Sequence, residues 1–259
     1  MTRWLALVGA LAFLAAACQL QPLDDPGLGE RGLTTVVYAA DGSVLAEWHA
    51  EEDRALITYQ EVPRHLIDAV VAIEDERYWA HPGVDLRALA RALVANLQSG
   101  TVSEGGSTIT QQYLKNVVLT PEVTLGRKLT EAALAVRLEE SLSKEQILER
   151  YLNTVYFGDG AYGVGTAATH FFGKQVADLS LGESALLAGL IQSPGLTDPY
   201  RNPEAALSRR RVVLERMARL GWITAEEAEQ ADQEALVLQP RRPDEQARYP
   251  YFTEEVKRR

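Results

Sequence analysis

The sequence predicts a mostly α-helical domain with a small β hairpin at its front. Three observations carry this. From Pro63 onward, apolar residues recur at helical spacing in one segment after another. Ser143–Gln146, Ser180–Glu183 and Thr224–Glu227 carry the hydroxyl and acid or amide spacing that closes helix N-termini. Strand-like residues are confined to Thr34–Tyr38 and Ser43–Trp48, on either side of Asp41-Gly42, a good hairpin turn.

The totals narrow the class. The chain has 259 residues and 46% hydrophobic content, enough for one large domain or two small ones and too apolar for disorder. A net charge of −10 argues against nucleic acid as a partner, though not against a local basic site. Cys18 is the one cysteine, so no internal disulfide forms. Four histidines lie scattered, without the spacing of a His/Cys metal site.

In order, residues 1–18 read as an export signal or membrane anchor. Arg3 leads an apolar run, Trp4 to Ala17, that ends in Ala15-Ala16-Ala17-Cys18. As a helix the run spans roughly 21 Å, short of the ~30 Å hydrocarbon core, which favours a signal. Small residues before Cys18 suit lipoprotein processing, with Cys18 lipidated, although Leu14 sits one place too early. Residues 19–60 form a Pro- and Gly-rich linker and the β lead-in.

Pro63 suits a first helical position, and Leu66, Ala69, Val70 and Ile73 form the stripe of the helix that follows. Asp85 can cap a helix whose Leu86, Leu89, Ala90, Leu93 and Leu97 share a face, with Gly100 ending it. Ser99 to Gly106 is a polar, glycine-rich flap. Ser107 can cap the helix bearing Gln111, Gln112, Lys115 and Asn116. Leu125, Leu129, Ala133 and Val136 stripe the next helix, where Arg127 and Lys128 stand one turn before Glu131.

Ile147, Leu148, Tyr151 and Leu152 read as packing, and Asn153 as a brace for a neighbouring backbone. Ser141 and Lys144 fit the S-x-x-K nucleophile pattern, but no K-T-G or S-x-N follows and Ser143 serves better as a cap. Phe157 to Gly165 reads as a glycine-rich loop. An apolar helix from Ser180 through Ile191 is broken by Ser193-Pro194-Gly195, and a helix from Glu204 to Leu220 presents Arg209, Arg210 and Arg211 as a basic face before Gly221. Residues 236–259 are a tail.

Chemistry concentrates in residues 74–83. Glu74 and Asp75 arrive at a helix C-terminus, where the macrodipole disfavours negative charge. Acids placed against local electrostatics suggest a demand from elsewhere in the fold. Alone, Glu74-Asp75 also fits a solvated acidic turn, and Arg127-Lys128 with Glu131 a surface ion-pair cluster.

Five segments in order resemble the motifs of peptidoglycan glycosyltransferases of family 51, the domain found alone or at the front of class A penicillin-binding proteins. They are Glu74–Gly83, with Tyr78 where the family has Phe; Gly105–Asn116; Arg127–Glu131; Lys144–Asn153; and Arg209–Leu214. The resemblance implies a lysozyme-like domain over 61–235 with a membrane-facing lobe. It also implies transfer of disaccharide-peptide units of lipid II onto a growing lipid-linked glycan, with inversion. Glu74 is then the general base and Glu131 a second catalytic acid. Asp75, Ser107, Thr108, Gln111, Gln112, Lys115, Asn116, Arg127 and Lys128 line the substrate, the cations facing the departing diphosphate. Glu131 has two open roles, orienting those cations or holding a divalent cation (Mg or Mn); His81 reads as structural and Arg209 as a brace near the cleft.

The expected setting is the outer face of the cytoplasmic membrane, with other cell-wall synthesis proteins as partners and no nucleic acid. A similar Pro-Tyr-Phe stretch leads into the transpeptidase domain of bifunctional relatives, so residues 250–252 suggest a truncated or single-domain member. The alternatives are a lysozyme-like glycan-cleaving enzyme, which would not need the cation trio, and a non-catalytic envelope scaffold.

Overall fold

The computed structural model describes residues 35–38, 44–48, 55–99, 106–117 and 125–240. Cys18 and the N-terminal segment, the Asp41-Gly42 turn, residues 100–105 of the expected flap and the tail beyond 240 lie outside the described residues. The first strands, β1 (Thr35–Tyr38) and β2 (Val44–Trp48), pair antiparallel with Thr35 opposite Trp48, as expected.

Nine α-helices follow among the described residues: α1 (Arg64–Glu74), α2 (Leu86–Ser99), α3 (Ile109–Val117), α4 (Leu125–Ser141), α5 (Lys144–Thr154), α6 (Val164–Phe172), α7 (Leu181–Leu190), α8 (Pro203–Arg219) and α9 (Ala225–Gln233). Pro63 stands just before α1 with φ −64°, as its N-cap rather than its first residue. Ser143, Ser180 and Thr224 each accept the backbone N–H three residues on while Gln146, Glu183 and Glu227 reach back, so the expected capping boxes form.

The core gathers around α7, buried at almost every position, as its apolar run from Ala185 to Leu190 requires. It packs against α1, whose Leu66, Ala69 and Val70 are fully buried, and against α8 through Val213, Leu214 and Met217. Helix α3 lies between α4 and α5, with Tyr113 and Leu114 inward. Residues from 55 onward already belong to this body. Asn153 accepts the Ile57 N–H at 3.0 Å and donates to the Ile57 carbonyl at 2.8 Å, the backbone brace its position suggested. At the other end, the Gln239 N–H reaches the Phe171 carbonyl at 2.8 Å.

Four expectations change. Phe157 to Gly165 is no simple loop: β3 (Tyr156–Gly158) and β4 (Ala161–Tyr162) form a second hairpin, turned through positive φ at Gly158, Asp159 and Gly160. The cap of α3 is Thr108, one residue after Ser107: its hydroxyl takes the Gln111 N–H at 3.2 Å while Gln111 Oε1 takes the Thr108 N–H at 3.0 Å. The stripes of α2 and α4 do not all turn inward; Leu86 is 73% exposed, Leu89 and Leu129 are exposed, and Ala92 is buried instead. The arginines of α8 divide rather than share a solvated face. Arg210 is buried and donates to the Asp232 and Glu234 carbonyls at the end of α9, Arg211 pairs with Asp232 at 2.8 Å, and Arg209 donates to Gln192.

Residues 75–85 are fastened from several sides. Asp85 caps α2, accepting the Arg87 N–H at 2.9 Å and Ala88 N–H at 3.2 Å, with Arg77 at 3.2 Å. The Tyr78 hydroxyl donates to the Lys144 carbonyl at 2.7 Å, and the Lys144 ammonium lies 4.3 Å from its ring centre. Gly83 has φ +87°, and a Cβ there would come within 2.5 Å of the Ala135 carbonyl oxygen.

Two stability outcomes follow. Gly83→Ala should destabilise the protein by roughly 2–4 kcal/mol in denaturant titration, because backbone must move to admit the methyl group. Tyr78→Phe, which restores the residue of the family pattern, should cost about 1 kcal/mol by the same measurement, the worth of its hydrogen bond.

Candidate active site

The site is built where α1 ends and α3 begins. Glu74 is the last residue of α1 and Asp75 its C-cap, with φ −160°. For α1 alone these carboxylates sit at the wrong pole. The start of α3 supplies the right one: the Ile109 N–H, at its first turn, donates to Asp75 Oδ2 at 3.1 Å. His81 donates through Nε2 to both oxygens of Asp75, at 3.0 and 2.9 Å. Asp75 and His81 are both buried, so the Asp75 carboxylate is committed to protein donors.

Glu74 meets α3. Its Oε2 accepts from Gln112 Nε2 at 2.8 Å, and Gln112 Oε1 in turn accepts from the Tyr151 hydroxyl of α5 at 3.1 Å. Burial pushes the Glu74 carboxyl up from its ordinary value; the Gln112 hydrogen bond and the Arg209 charge pull it back in part, and neighbouring Asp75 adds to the rise. Arg209 comes from α8, where Gly189 of α7 admits its side chain: a Cβ at Gly189 would lie 2.8 Å from Arg209 Cγ.

The polar residues of α3 divide their work. Thr108 and Gln111 are buried and spend their groups on the cap, with the Thr108 hydroxyl also donating to the Gly83 carbonyl at 2.6 Å. Lys115 and Asn116 are exposed in its last turn. Lys115 follows Gln112 by three residues and so lies on the same helix face, the one that meets Glu74.

At the other end, Lys128 of α4 donates to Ser107 Oγ at 3.2 Å and to Glu131 Oε1 at 2.7 Å. Glu131 is fully buried, and its Oε2 has no hydrogen-bond partner among the described residues. Arg127, next to Lys128 in sequence and one turn before Glu131, is half-buried. Among the described residues no three His, Cys, Asp or Glu lie together to hold a metal ion, and Glu131 by itself does not make such a site. A cavity of about 270 Å³ lies apart from these residues, lined by Tyr156, Asp159, Pro194, Asp198 and Arg201 among others.

Two contributors to Glu74's surroundings escaped the sequence reading as such. Tyr151 looked like packing and Arg209 like a brace or an exposed cation; their approach to Glu74 depends on how α5 and α8 pack, and no local pattern signals it.

A carboxyl pushed up by burial and held by an amide of the helix that also carries Lys115 is suited to acid–base chemistry. Comparison with known proteins gives the family. A family model described as Transglycosylase matches residues 41–218, and the chain belongs to that family. Penicillin-binding protein 1A of Aquifex aeolicus is 43% identical over 234 residues, 89% of this chain and 32% of that protein. Penicillin-binding protein 1A of Escherichia coli is 42% identical over 221 residues, 85% of this chain and 26% of that protein. The crystal structure of penicillin-binding protein 1A from Haemophilus influenzae superposes with a TM-score of 0.52 at 27% identity, covering 88% of this chain and 24% of that one. The chain thus spans a third or less of the length of these relatives.

Linkage gives a stability test. A carboxyl whose pKa rises on folding favours the fold below its unfolded pKa and loses that contribution as pH rises through the folded value. Glu74→Gln should therefore melt above the parent at about pH 7, with the gap closing towards about pH 4 in calorimetric scans. Asp75→Ala should do the reverse of stabilising, lowering stability by roughly 3 kcal/mol in denaturant titration, because it strands the Ile109 N–H and His81 Nε2.

Proposed function

We propose that this chain polymerises lipid II into peptidoglycan glycan strands as an inverting glycosyltransferase, releasing polyprenyl diphosphate. The observation that carries the reading is Glu74 itself: a buried-edge carboxyl of raised proton affinity, in contact with the helix that also carries Lys115 and whose start meets Ser107 and Lys128.

Glu74 takes the proton from the acceptor sugar hydroxyl as that oxygen attacks the anomeric carbon of the donor. The electron pair of the breaking C–O bond leaves with the diphosphate, on the opposite face of the sugar, so the configuration inverts. That leaving group departs charged and needs cations rather than a proton. Lys115, Arg127 and Lys128 supply them, with Arg able to form a planar fork on phosphate oxygens. Glu131 orients Lys128 through the 2.7 Å ion pair. Ser107 and Asn116 offer hydrogen bonds to sugar or phosphate, while Asp75, Thr108 and Gln111 shape the site from within.

A lipid-linked substrate places the work at a membrane surface. Among the described residues no helix is long and apolar enough to cross one. The exposed Leu86, Leu89 and Val94 of α2 support a lobe that meets the outer face of the cytoplasmic membrane, with residues 1–18 or a lipidated Cys18 as the anchor.

Incubation with lipid II tests the reading. The parent should form polymer, and Glu74→Gln should lose at least about 100-fold of that rate. The parent's rate should also fall on acidification with a midpoint above 4.5, the ordinary glutamate value, since only the ionised carboxylate accepts the proton. Parental polymerisation by Glu74→Gln, or fragments released from finished cell wall without any polymer from lipid II, contradicts it.

A further inference from the structure

We propose that Tyr151 is a positioning residue for Glu74, acting through the side-chain amide of Gln112. The inference rests on Glu74 being the base and adds a residue that touches neither substrate nor reacting atoms.

The geometry is a chain of two hydrogen bonds across three helices. Tyr151 of α5 is fully buried, and among the described residues its hydroxyl makes one hydrogen bond, to Gln112 Oε1 at 3.1 Å. Gln112 of α3 then donates from Nε2 to Glu74 Oε2 at 2.8 Å, at the end of α1. An amide has one accepting and one donating end. Turned over, Gln112 would aim its carbonyl at the Glu74 carboxylate and its NH2 at Tyr151. The buried phenol hydrogen would then have no acceptor, which is the costlier arrangement. Tyr151 therefore selects the orientation in which Gln112 donates to Glu74.

Three observations make that selection matter. Burial, with Glu74 and Asp75 nearby, pushes the Tyr151 phenol well above its ordinary 10.0, so it stays a donor throughout the working pH range. Among the described residues, the groups facing Glu74 are Asp75 next to it in the chain, Gln112 from α3, Tyr151 from α5 and Arg209 from α8. Of these, Gln112 is the one whose effect reverses with its orientation, because a donated hydrogen bond favours the carboxylate and a facing carbonyl opposes it. Burial pushes Glu74 towards protonation, and the Gln112 donor opposes that push while it is held in place.

The test uses the full chain, lipid II polymerisation and pH–rate profiles for the parent, Tyr151→Phe, Gln112→Met and the double variant. Tyr151→Phe keeps the ring and removes the donor. Its acid limb should move up by about 0.5–1 unit, and kcat should fall about 3- to 10-fold with KM within about 2-fold. In the Gln112→Met background the same change should add nothing, since the intermediary is gone. Replacing Tyr151 with 3-fluorotyrosine, a stronger donor of nearly the same size, should move the limb down, and this guards against a folding defect in Tyr151→Phe. An unmoved acid limb in both Tyr151 variants, or the same loss with and without Gln112, overturns the inference. Glu74→Gln run in parallel separates the two layers. If it is inactive while the Tyr151 limb stays put, the positioning role alone fails; if it is fully active, the base assignment and this inference fail together.

Discussion

The Asp75 carboxylate ties the end of one helix to the start of another, and the site depends on that tie. Standing at the C-terminus of α1, it meets the partial negative charge of that helix. Standing 3.1 Å from the Ile109 N–H, it also caps the positive end of α3, with His81 filling its remaining acceptor sites. The second dipole answers the first. With α3 docked there, Gln112 falls beside Glu74, and Ser107, just before the helix, falls within reach of Lys128. One short connection thereby supports both contacts.

This arrangement explains why so much polar matter is buried near a single catalytic candidate. Thr108, Gln111, Asp75 and His81 are enclosed and directed at one another, which fixes the start of α3 without asking them to meet a ligand. The groups proposed to meet substrate stay further out: Lys115 and Asn116 in the last turn of α3, and Lys128 at the near end of α4. Rigidity inside and cations outside suit the leaving group proposed above, a diphosphate that gains negative charge as the C–O bond breaks.

Much of the fold was legible because its signals are local. Ser143 with Gln146, Ser180 with Glu183 and Thr224 with Glu227 each act over three residues, so sequence spacing alone locates them. The choice between Ser107 and Thr108 was not local: either hydroxyl can cap, and Ser107 is taken by Lys128 from another helix. The stripe on α2 showed that Leu86 and Leu89 share a face but not what that face would meet. The β3–β4 hairpin was hidden because its turn relies on positive φ at Asp159 as well as at glycines. Of the site, the acids, amides and cations were readable as an ordered set. The Asp75 tie, the approach of Arg209 and the buried Tyr151 donor were not, since each joins residues far apart in the chain.

Burial makes the Glu74 carboxyl reluctant to ionise, while Gln112 and Arg209 oppose that push. Isotope-edited infrared titration of the folded protein, read as parent minus Glu74→Gln, observes that carboxyl directly. The account requires its midpoint to lie above the ordinary 4.5 of a glutamate. A midpoint at that value would show a solvated side chain, and one below it a carboxylate held ionised by its donors; either would contradict a base made reluctant to ionise by burial.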